Sequence, residues 1–319
     1  MPHSLEVCAG AGGQARGLEL AGFAHSGVVE LDRDCCKTLR LNRPGWNIHE
    51  QDLNNFDGRS FKGIDLFAGG LPCPPFSVAG KQLGSDDERN LFPAALRLID
   101  ETRPKAVMIE NVRGFLDAIF EDYRTHLKAR LAALGYETHW RLLNASDFGV
   151  PQLRPRVVIV ALRHDIKDHF SWPMPNPDDA PTVGATLVDL MSERGWAGAR
   201  RWAQVASEIA PTLVGGSKKH GGPDLGPTRA RRAWASLGVN GVSLADAAPD
   251  RDFVGMPRLT VRMAARIQGF DDNWQFYGRK TAAYRQVGNA FPPPVARAVA
   301  ERLKVAVTTR MVHPVCVAQ

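Results

Sequence analysis

Short apolar runs alternate with amphipathic segments over the first half of the chain. Runs of four to six apolar residues suit strands that are buried on both faces, and apolar residues three or four positions apart suit the helices that cover them. The predicted strands are residues 5–9, 27–31, 64–67, 106–109 and 157–162. The predicted helices are residues 14–21, 34–41, 91–101 and 124–134. This alternation predicts an α/β fold in which helices cover both faces of a parallel sheet.

The pattern changes near Ser171. Residues 171–177 form a proline-rich connector, and the stretch that follows is rich in Gly and Arg with little periodicity. Amphipathic periodicity returns at residues 260–268 and 293–307, and prolines begin the second of these helices, where their missing N–H groups cost nothing. We therefore expect a domain boundary near Ser171 and a last helix that returns to the first domain.

Composition agrees with a folded protein of two domains, or of one large domain that carries an insertion. The chain has 319 residues, of which 44% are hydrophobic, and an average domain has roughly 150 residues. The longest apolar run, residues 157–162, is far shorter than the ~18 residues of a membrane span, and Glu6 interrupts the N-terminus before a signal-peptide core forms. The five cysteines lack C-x-x-C spacing, which argues against disulfides and against a structural metal. We expect a soluble, cytoplasmic protein.

The net charge of +6 is concentrated in one segment. From Arg194 to Arg232 there are eight basic and two acidic residues, so the rest of the chain is neutral overall. Five glycines between residues 215 and 226 allow the backbone to approach a partner closely. The segment is typical of a surface that binds a polyanion, although a solvated basic loop has the same composition.

A glycine-rich turn follows the first predicted strand. Residues 10–15 read Gly-Ala-Gly-Gly-Gln-Ala and precede a helix, so backbone N–H groups face a turn that can admit a cofactor. Glu30 ends the second strand 20 residues after Gly10, where a carboxylate can accept hydrogen bonds from a ribose. The pattern fits a nicotinamide dinucleotide as well as S-adenosylmethionine, and a structural glycine turn is a third interpretation.

Cys73 lies in a rigid loop directly after the third predicted strand. Prolines at positions 72, 74 and 75 fix the backbone around it, and the carboxyl ends of strands are where open α/β sheets bind ligands. A presented thiol suits a nucleophile, whereas a proline-rich turn around a buried cysteine is the structural alternative.

Charged residues follow at the same sheet edge. Glu110 closes the strand at 106–109, where it can donate or accept a proton beside a bound ring. Arg154 and Arg156 alternate ahead of the strand at 157–162 and can point to one side. Together with Cys73 they predict a site with a thiol, a carboxylate and fixed positive charge.

In this order the motifs resemble those of the DNA cytosine-5 methyltransferases, over nearly the whole chain. The resemblance rests on segment 8–13, Glu30, Asp52, the Pro-Cys-Pro-Pro-Phe-Ser segment 72–77, Glu110-Asn-Val, Gln152-Leu-Arg-Pro-Arg, segment 258–270 and Tyr284-Arg-Gln-Val-Gly-Asn-Ala. It implies a Rossmann-like, S-adenosylmethionine-dependent methyltransferase domain at residues 1–170. It further implies a smaller, irregular target-recognition domain at 171–271 and a C-terminal segment, 272–319, that returns to the large domain.

The resemblance also implies the ligands and their residues. The cofactor is S-adenosylmethionine, which leaves as S-adenosylhomocysteine, and no metal takes part. Glu30 and Asp52 are expected to contact its ribose and adenine. The full expected cofactor set is Cys8, Ala9, Gly10, Gly12, Gly13, Glu30, Leu31, Asp52, Leu53, Pro72 and Asn289.

The implied reaction is a methyl transfer to carbon 5 of a cytosine that is flipped out of duplex DNA. Cys73 adds to carbon 6, Glu110 engages ring nitrogen 3, Arg154 and Arg156 hold the base, and Gln152 positions the arginines. The loop at 77–90, with Gly80 and Gly84 as hinges, is expected to close over the DNA. The expected DNA-binding residues are Ser77, Lys81, Gln82, Thr212, Leu213, Lys218, Lys219, Arg229 and Arg231, the last two as readers of bases.

Two positions depart from the family pattern. Cys8 stands where the family usually has a phenylalanine that packs on adenine, and apolar contacts from Leu31 or Leu53 could offset its smaller size. Met263 occupies a position that is commonly acidic.

Other functions share part of this pattern. A nicotinamide oxidoreductase leaves Cys73, Glu110 and the basic segment without roles, whereas a related transfer-RNA methyltransferase or an inactive DNA-binding relative shares most of the motifs. We expect a prokaryotic modification enzyme that acts as a monomer on duplex DNA, with a companion restriction endonuclease acting separately.

Overall fold

The computed structural model describes residues 1–72, 90–176, 180–216 and 222–309. A seven-stranded sheet lies at the centre of this part of the chain. Its strands are β1 (His3–Val7), β2 (Ala24–Glu30), β3 (Ile48–Glu50), β4 (Leu66–Gly70), β5 (Ala106–Val112), β6 (Tyr136–Asn144) and β7 (Pro155–Arg163), in the order β3-β2-β1-β4-β5-β7-β6.

Strands β1 to β5 are parallel, but β7 runs antiparallel to both of its neighbours, β5 and β6. The prediction of a parallel sheet is therefore wrong at this edge. The sequence pattern missed β6, and the connection from β6 to β7 at residues 145–154 is shorter than the roughly a dozen residues that a parallel crossover needs. As a result, the start of β7 lies beside the carboxyl end of β5.

Helices cover both faces of the sheet, as predicted. On one face, α3 and α4 pack on alternate residues of the strands, and on the other face α1 and α10 pack on the residues between. The helices are α1 (Gly13–Leu20), α2 (Arg33–Asn42), α3 (Phe92–Thr102), α4 (Glu121–Ala133), α5 (Val183–Ser192), α6 (Ala199–Val205), α7 (Thr228–Ser236), α8 (Val261–Ile267), α9 (Lys280–Asn289) and α10 (Pro293–Thr308).

The final helix packs closely on the first one. A side chain at Gly17 would come within 2.6 Å of the Pro293 carbonyl, so only glycine allows the two backbones this separation. Across the described ranges, no helix is both long enough and apolar enough to span a bilayer.

The Gly- and Arg-rich stretch is more helical than its sequence indicated. It contains α5, α6 and α7, which share a core built around Trp196, Trp202 and Trp234. Helix α7 buries only Trp234 and α6 buries two residues, so neither produces the long 3.6-residue periodicity on which helix prediction depends.

Candidate active site

The turn between β1 and α1 is left-handed at Cys8, Gly10 and Gly12, with φ of 50°, 55° and 87°. It brings the Gly10 N–H to within 2.7 Å of Glu30 Oε2, and the Asp32 N–H donates to Glu30 Oε1 at 2.6 Å. Burial raises the pKa of Glu30, while these N–H groups lower it. The carboxyl group is thus fixed beside the turn, and its remaining lone pairs can accept further hydrogen bonds.

A cavity of about 500 Å³, named here the Glu30 cavity, opens over the carboxyl ends of β1, β2 and β4. Eight of the eleven predicted cofactor residues line it: Cys8, Gly10, Glu30, Leu31, Asp52, Leu53, Pro72 and Asn289. Leu31 is 66% exposed, so its apolar side chain is available to a flat ligand.

A second cavity, of about 390 Å³, is named the Glu110 cavity. Cys8, Gly10, Gly70 and Asn289 line both cavities, so the two adjoin. Ala9 and Glu110 line the second one, which therefore joins the predicted cofactor residues to a predicted catalytic residue.

Gly12 and Gly13 line neither cavity. A side chain on Gly13 would come within 2.2 Å of the Phe291 carbonyl, and one on Gly12 within 2.8 Å of the Trp274 ring. These two glycines let other segments pack against the turn, so they support the predicted cofactor residues from outside the cavities.

Buried acceptors form part of the wall of the Glu110 cavity. Both carboxyl oxygens of Glu6 and the Oε1 of Gln14 have no hydrogen-bond partner among the described residues. Burial raises the pKa of Glu6 well above its usual value of 4.5, and the nearby backbone N–H of Ala15 opposes only part of that effect. Buried acceptors without donors are costly, so this wall suits a ligand that supplies N–H groups.

Glu110 forms an ion pair with Arg156. The Nε of Arg156 lies 2.8 Å from Glu110 Oε1, and both side chains are mostly buried, with exposed fractions of 14% and 13%. Burial raises the pKa of Glu110, while the positive charges of Arg156 and Arg154 lower it. This carboxyl group therefore keeps its proton to a higher pH than an exposed one, as a general acid requires.

Arg154 is buried and ties three segments together. Its guanidinium donates to the carbonyls of Leu213, Gly288 and Ala290 at 2.8–3.1 Å. Burial, followed by the neighbouring charge of Arg156, lowers the pKa of Arg154 to about 9. The structure thus places Arg154 behind the cavity, as a clamp between distant parts of the chain.

Gln152 makes no hydrogen bond to either arginine. Its Oε1 accepts from the Leu213 N–H, and its Nε2 donates to Gln268 Oε1 and the Ile267 carbonyl. The Leu213 carbonyl also accepts a hydrogen bond from Arg154. Gln152 can therefore position Arg154 only through the backbone of Leu213.

Cys73 lies outside the described residues, as do Cys316 and the predicted DNA-binding residues Ser77, Lys81, Gln82, Lys218 and Lys219. Pro72, the neighbour of Cys73 in the chain, is described and lines the Glu30 cavity.

The described cysteines are not activated nucleophiles. Burial raises the pKa of the thiols of Cys8 and Cys35, and it raises the pKa of the Cys36 thiol to about 12. In the described part of the chain, His, Cys, Asp and Glu form no group of three that could hold a metal ion.

The predicted DNA-binding residues that are described differ in exposure. Leu213 is buried, and the Thr212 hydroxyl donates to the Leu153 carbonyl. On α7, Arg229 is exposed, and Arg231 lines a cavity of about 310 Å³ together with Gly216 and Asp224.

Comparison with known proteins shows the family of the chain. The sequence model of the family "C-5 cytosine-specific DNA methylase" matches residues 3–305. The chain belongs to this family. It is a DNA cytosine-5 methyltransferase.

Curated relatives match over most of their length. The methyltransferase is 56% identical over 304 residues to the Type II methyltransferase M.NgoMIV of Neisseria gonorrhoeae, covering 94% of this chain and 96% of the relative. It is also 56% identical over 309 residues to M.NaeI of Lentzea aerocolonigenes, covering 95% of this chain and 74% of the relative.

A solved structure has a similar fold. It is a variant of Spodoptera frugiperda DNMT2 and superposes with a TM-score of 0.66 at 16% identity, covering 96% of this chain and 99% of that chain. The last comparison concerns the fold, and it supports the Rossmann-like assignment.

The two departures of this methyltransferase have different structural outcomes. Met263 occupies the third position of α8, where its sulfur accepts a hydrogen bond from the Thr260 N–H at 3.4 Å while the Thr260 hydroxyl accepts from the Met263 N–H at 3.2 Å. The thioether thus completes a capping box that usually has an acidic or amide side chain. Cys8 lines both cavities and leaves the apolar wall to Val29, Leu31, Leu53 and Leu91.

Sequence analysis missed several residues of the two cavities. Gln51, Asn54, Gly70 and Leu91 line the Glu30 cavity, and Glu6, Gln14 and Arg285 line the Glu110 cavity. Arg285 carried a usable signal, because it lies one helical turn before Asn289 within a motif already recognised. For Glu6 the only signal in the sequence was an acidic residue inside an apolar strand.

Proposed function

We propose that this methyltransferase transfers the methyl group of S-adenosylmethionine to carbon 5 of a flipped-out cytosine in a specific duplex DNA sequence, through a covalent adduct with Cys73. The observation that carries the proposal is that Glu110, which is paired with Arg156, lines the same cavity as the predicted cofactor residues Cys8, Ala9, Gly10 and Asn289. Pro72 lines the adjoining cavity, and Cys73 follows it directly in the chain.

The two cavities fit the cofactor in their chemistry. The Glu30 cavity combines the aliphatic side chains of Leu31 and Leu53 with the carboxylates of Glu30 and Asp52, which suits an adenine ring and the hydroxyl groups of a ribose. The unpartnered acceptors of Glu6 and Gln14 in the Glu110 cavity suit an ammonium group. When bound, S-adenosylmethionine supplies an electrophilic methyl group.

Covalent activation is needed because cytosine does not readily give an electron pair at carbon 5. The Cys73 thiolate forms a bond to carbon 6, and Glu110 holds a proton at ring nitrogen 3, so that electron density moves to carbon 5. Carbon 5 then takes the methyl group. Loss of the carbon 5 proton to a base restores the double bond and expels the thiolate.

Arg156 supports this step from the antiparallel strand. Its guanidinium holds one carboxyl oxygen of Glu110 at 2.8 Å, which leaves the second oxygen for the ring. Fixed positive charge in a mostly buried site stabilises negative charge on the ring more strongly than mobile water does. The positive charge of Arg154, which lies behind the cavity, also lowers the pKa of Glu110.

The target base has to leave the duplex to reach this site, at a cost of a few kcal/mol. Residues 77–90, with Lys81 or Gln82, are proposed to fill the vacated stack. Thr212 is proposed to support the backbone of the flipped nucleotide, next to the buried Leu213, and Arg229 and Arg231 are proposed to contact base edges. Lys218 and Lys219 are proposed to contact phosphates.

A mechanism-based trap tests the proposal. Duplex DNA with 5-fluorocytosine at the target position, incubated with S-adenosylmethionine, should give a denaturation-resistant complex linked through Cys73, because fluorine cannot leave as a cation. Cys73→Ala should give no complex, and Cys36→Ala should give as much as the wild type. A link that maps to another cysteine, or no complex with DNA that is otherwise methylated efficiently, would overturn the covalent scheme. Transfer RNA in place of DNA tests the competing substrate.

We further propose that the enzyme acts in a restriction–modification system. M.NgoMIV and M.NaeI are named Type II methyltransferases, and the present chain is 56% identical to each. It would work in the cytoplasm as a monomer, separately from a companion endonuclease. Bisulfite sequencing of a plasmid that carries the gene should show one fully methylated sequence motif, and scattered methylation without a motif would contradict this role.

A further inference from the structure

The Glu110 cavity has an uneven distribution of charge. Four charged residues of the described chain line it: Glu6, Asp32, Glu110 and Arg285. Glu110 pairs with Arg156, and Asp32 accepts hydrogen bonds from the N–H groups of Asp34 and Cys35 at the start of α2. Glu6, Asp32 and Glu110 are carboxyl groups, and the last two have the partners just described. The fourth residue is a cation.

Arg285 is that cation. Its side chain is half-buried, and its guanidinium makes no hydrogen bond or ion pair with any residue in the described ranges. Half-buried guanidinium groups usually have an anionic or carbonyl partner, because desolvating a charge without one is costly. An unpaired guanidinium in a cavity wall therefore indicates an anionic ligand.

The helix that carries Arg285 is held firmly in place. The next residue, Gln286, accepts a hydrogen bond from the Thr38 hydroxyl at 2.6 Å and donates to the Tyr277 carbonyl at 2.8 Å. Asn289, one turn further along, lines both cavities. Arg285 thus lines the Glu110 cavity one helical turn before a residue that is common to both cavities.

We propose that Arg285 binds the α-carboxylate of S-adenosylmethionine and of its product. This inference rests on the proposed function, since it assumes that the adenosine part occupies the Glu30 cavity. The amino-acid end then extends past Asn289 into the Glu110 cavity. There the ammonium group faces the unpartnered oxygens of Glu6 and Gln14, and the carboxylate, which is the only anionic group of the cofactor, faces Arg285.

Binding experiments with two ligands test the proposal on the full chain without DNA. Titration calorimetry is done with S-adenosylhomocysteine and with its decarboxylated analogue, which lacks only the carboxylate. The wild type should bind the analogue about 10- to 100-fold more weakly, the range expected for a hydrogen-bonded charged group. Arg285→Gln should lower affinity for S-adenosylhomocysteine by a similar factor and leave the analogue unchanged. Arg285→Lys should recover part of the loss, and Arg279→Gln, an exposed arginine at the start of the same helix, should change neither.

The alternative outcomes are distinguishable. Equal weakening of both ligands in Arg285→Gln would show a disturbed pocket and overturn the proposal, and so would unchanged affinity for both. If the variant instead weakened DNA binding without cofactor and reduced its salt slope by about 0.9, Arg285 would be a phosphate contact. A wild type that bound neither ligand would overturn the proposed function itself.

Discussion

Arg156 and Glu110 meet diagonally across two antiparallel strands: Arg156 is opposite Val112 in the register, and its side chain reaches back 2.8 Å from Glu110. Because this guanidinium lowers the pKa of Glu110 while burial raises it, the pair sets the pH at which the carboxyl group loses its proton.

Glu110→Gln should lower the methylation rate by about 10²- to 10⁴-fold, the usual contribution of a positioned acid or base. Glutamine keeps the size of the side chain but cannot hold the proton in the same way, so DNA binding should change little. Single-turnover methylation and a gel-shift assay measure the two effects. Glu137→Gln, on the exposed side of β6, is the control, and equal losses in both variants would remove Glu110 from the mechanism.

Arg156→Gln should move the alkaline limit of the reaction to higher pH while lowering its maximum rate. The protonated fraction of Glu110 falls as pH rises through its raised pKa, and loss of the guanidinium raises that pKa further. The pH profile of single-turnover methylation measures the shift. Arg141→Gln, whose guanidinium lies 5.4 Å from the Trp172 ring, should leave the profile unchanged. An alkaline limit that did not move in Arg156→Gln would show that another group titrates there.

Glu6→Gln should stabilise the protein at neutral pH but not in acid. Burial raises the pKa of Glu6, so its contribution to stability is fully present below 4.5, the usual value, and is lost as pH rises through the raised pKa. Glutamine stays neutral, and the gain grows by about 1.4 kcal/mol for each pH unit across that interval. Urea unfolding at several pH values measures it.

A control of opposite sign is available for that experiment. Lys167 and His139 lower the pKa of Glu137, so Glu137→Gln should lose stability above the usual pKa of 4.5, and this loss should disappear as the pH falls through the lowered pKa. If Glu6→Gln behaved like Glu137→Gln, the buried carboxyl group would have an ionic partner.

Gly288→Ala should destabilise the protein by about 1–3 kcal/mol and reduce methylation more than cofactor binding. A methyl group at this position would lie 2.4 Å from the Gly215 nitrogen, so the two segments would have to separate. Chemical unfolding and methylation rates measure the effect. Gly45→Ala, where the added carbon meets no atom within 4 Å, should be nearly neutral. A similar loss of stability in both variants would show that Gly288 and Gly215 are not in tight contact.

Reversing the charge of Lys218 and Lys219 should flatten the salt dependence of DNA binding. Each neutralised phosphate contributes about 0.9 to the slope of log affinity against log salt, so the double variant to glutamate should lose about 1.8. Lys128→Glu, an exposed residue on α4, controls for net charge. Unchanged affinity and slope would indicate a solvated face.

The sequence predicted the strands of the sheet centre but not those of its edges. Strand β7 consists largely of buried Val, Ile, Ala and Leu, which is a clear signal, whereas β3 has only three residues and β6 mixes buried and exposed positions at the edge of the sheet. Missing β6 led directly to the wrong direction for β7.

Candidate residues were easier to predict than their contacts. The motif predicts that Arg154 is a site residue, yet its partners are three carbonyl groups that lie 59 to 136 residues away in the chain. Backbone acceptors carry no residue-specific signal, so this clamp could be seen only in three dimensions. The same is true of the two adjoining cavities, which are formed by segments from both ends of the chain.

The contact between Gly215 and Gly288 has an evolutionary consequence. A crossing made by two backbones requires glycine at those positions and imposes nothing on the residues that follow. Segments beyond Gly216 can therefore vary in sequence while Arg154, Gln152 and Asn289 keep their partners beneath them. Sequence changes in the residues proposed to contact DNA can therefore leave the residues proposed for the chemistry in place.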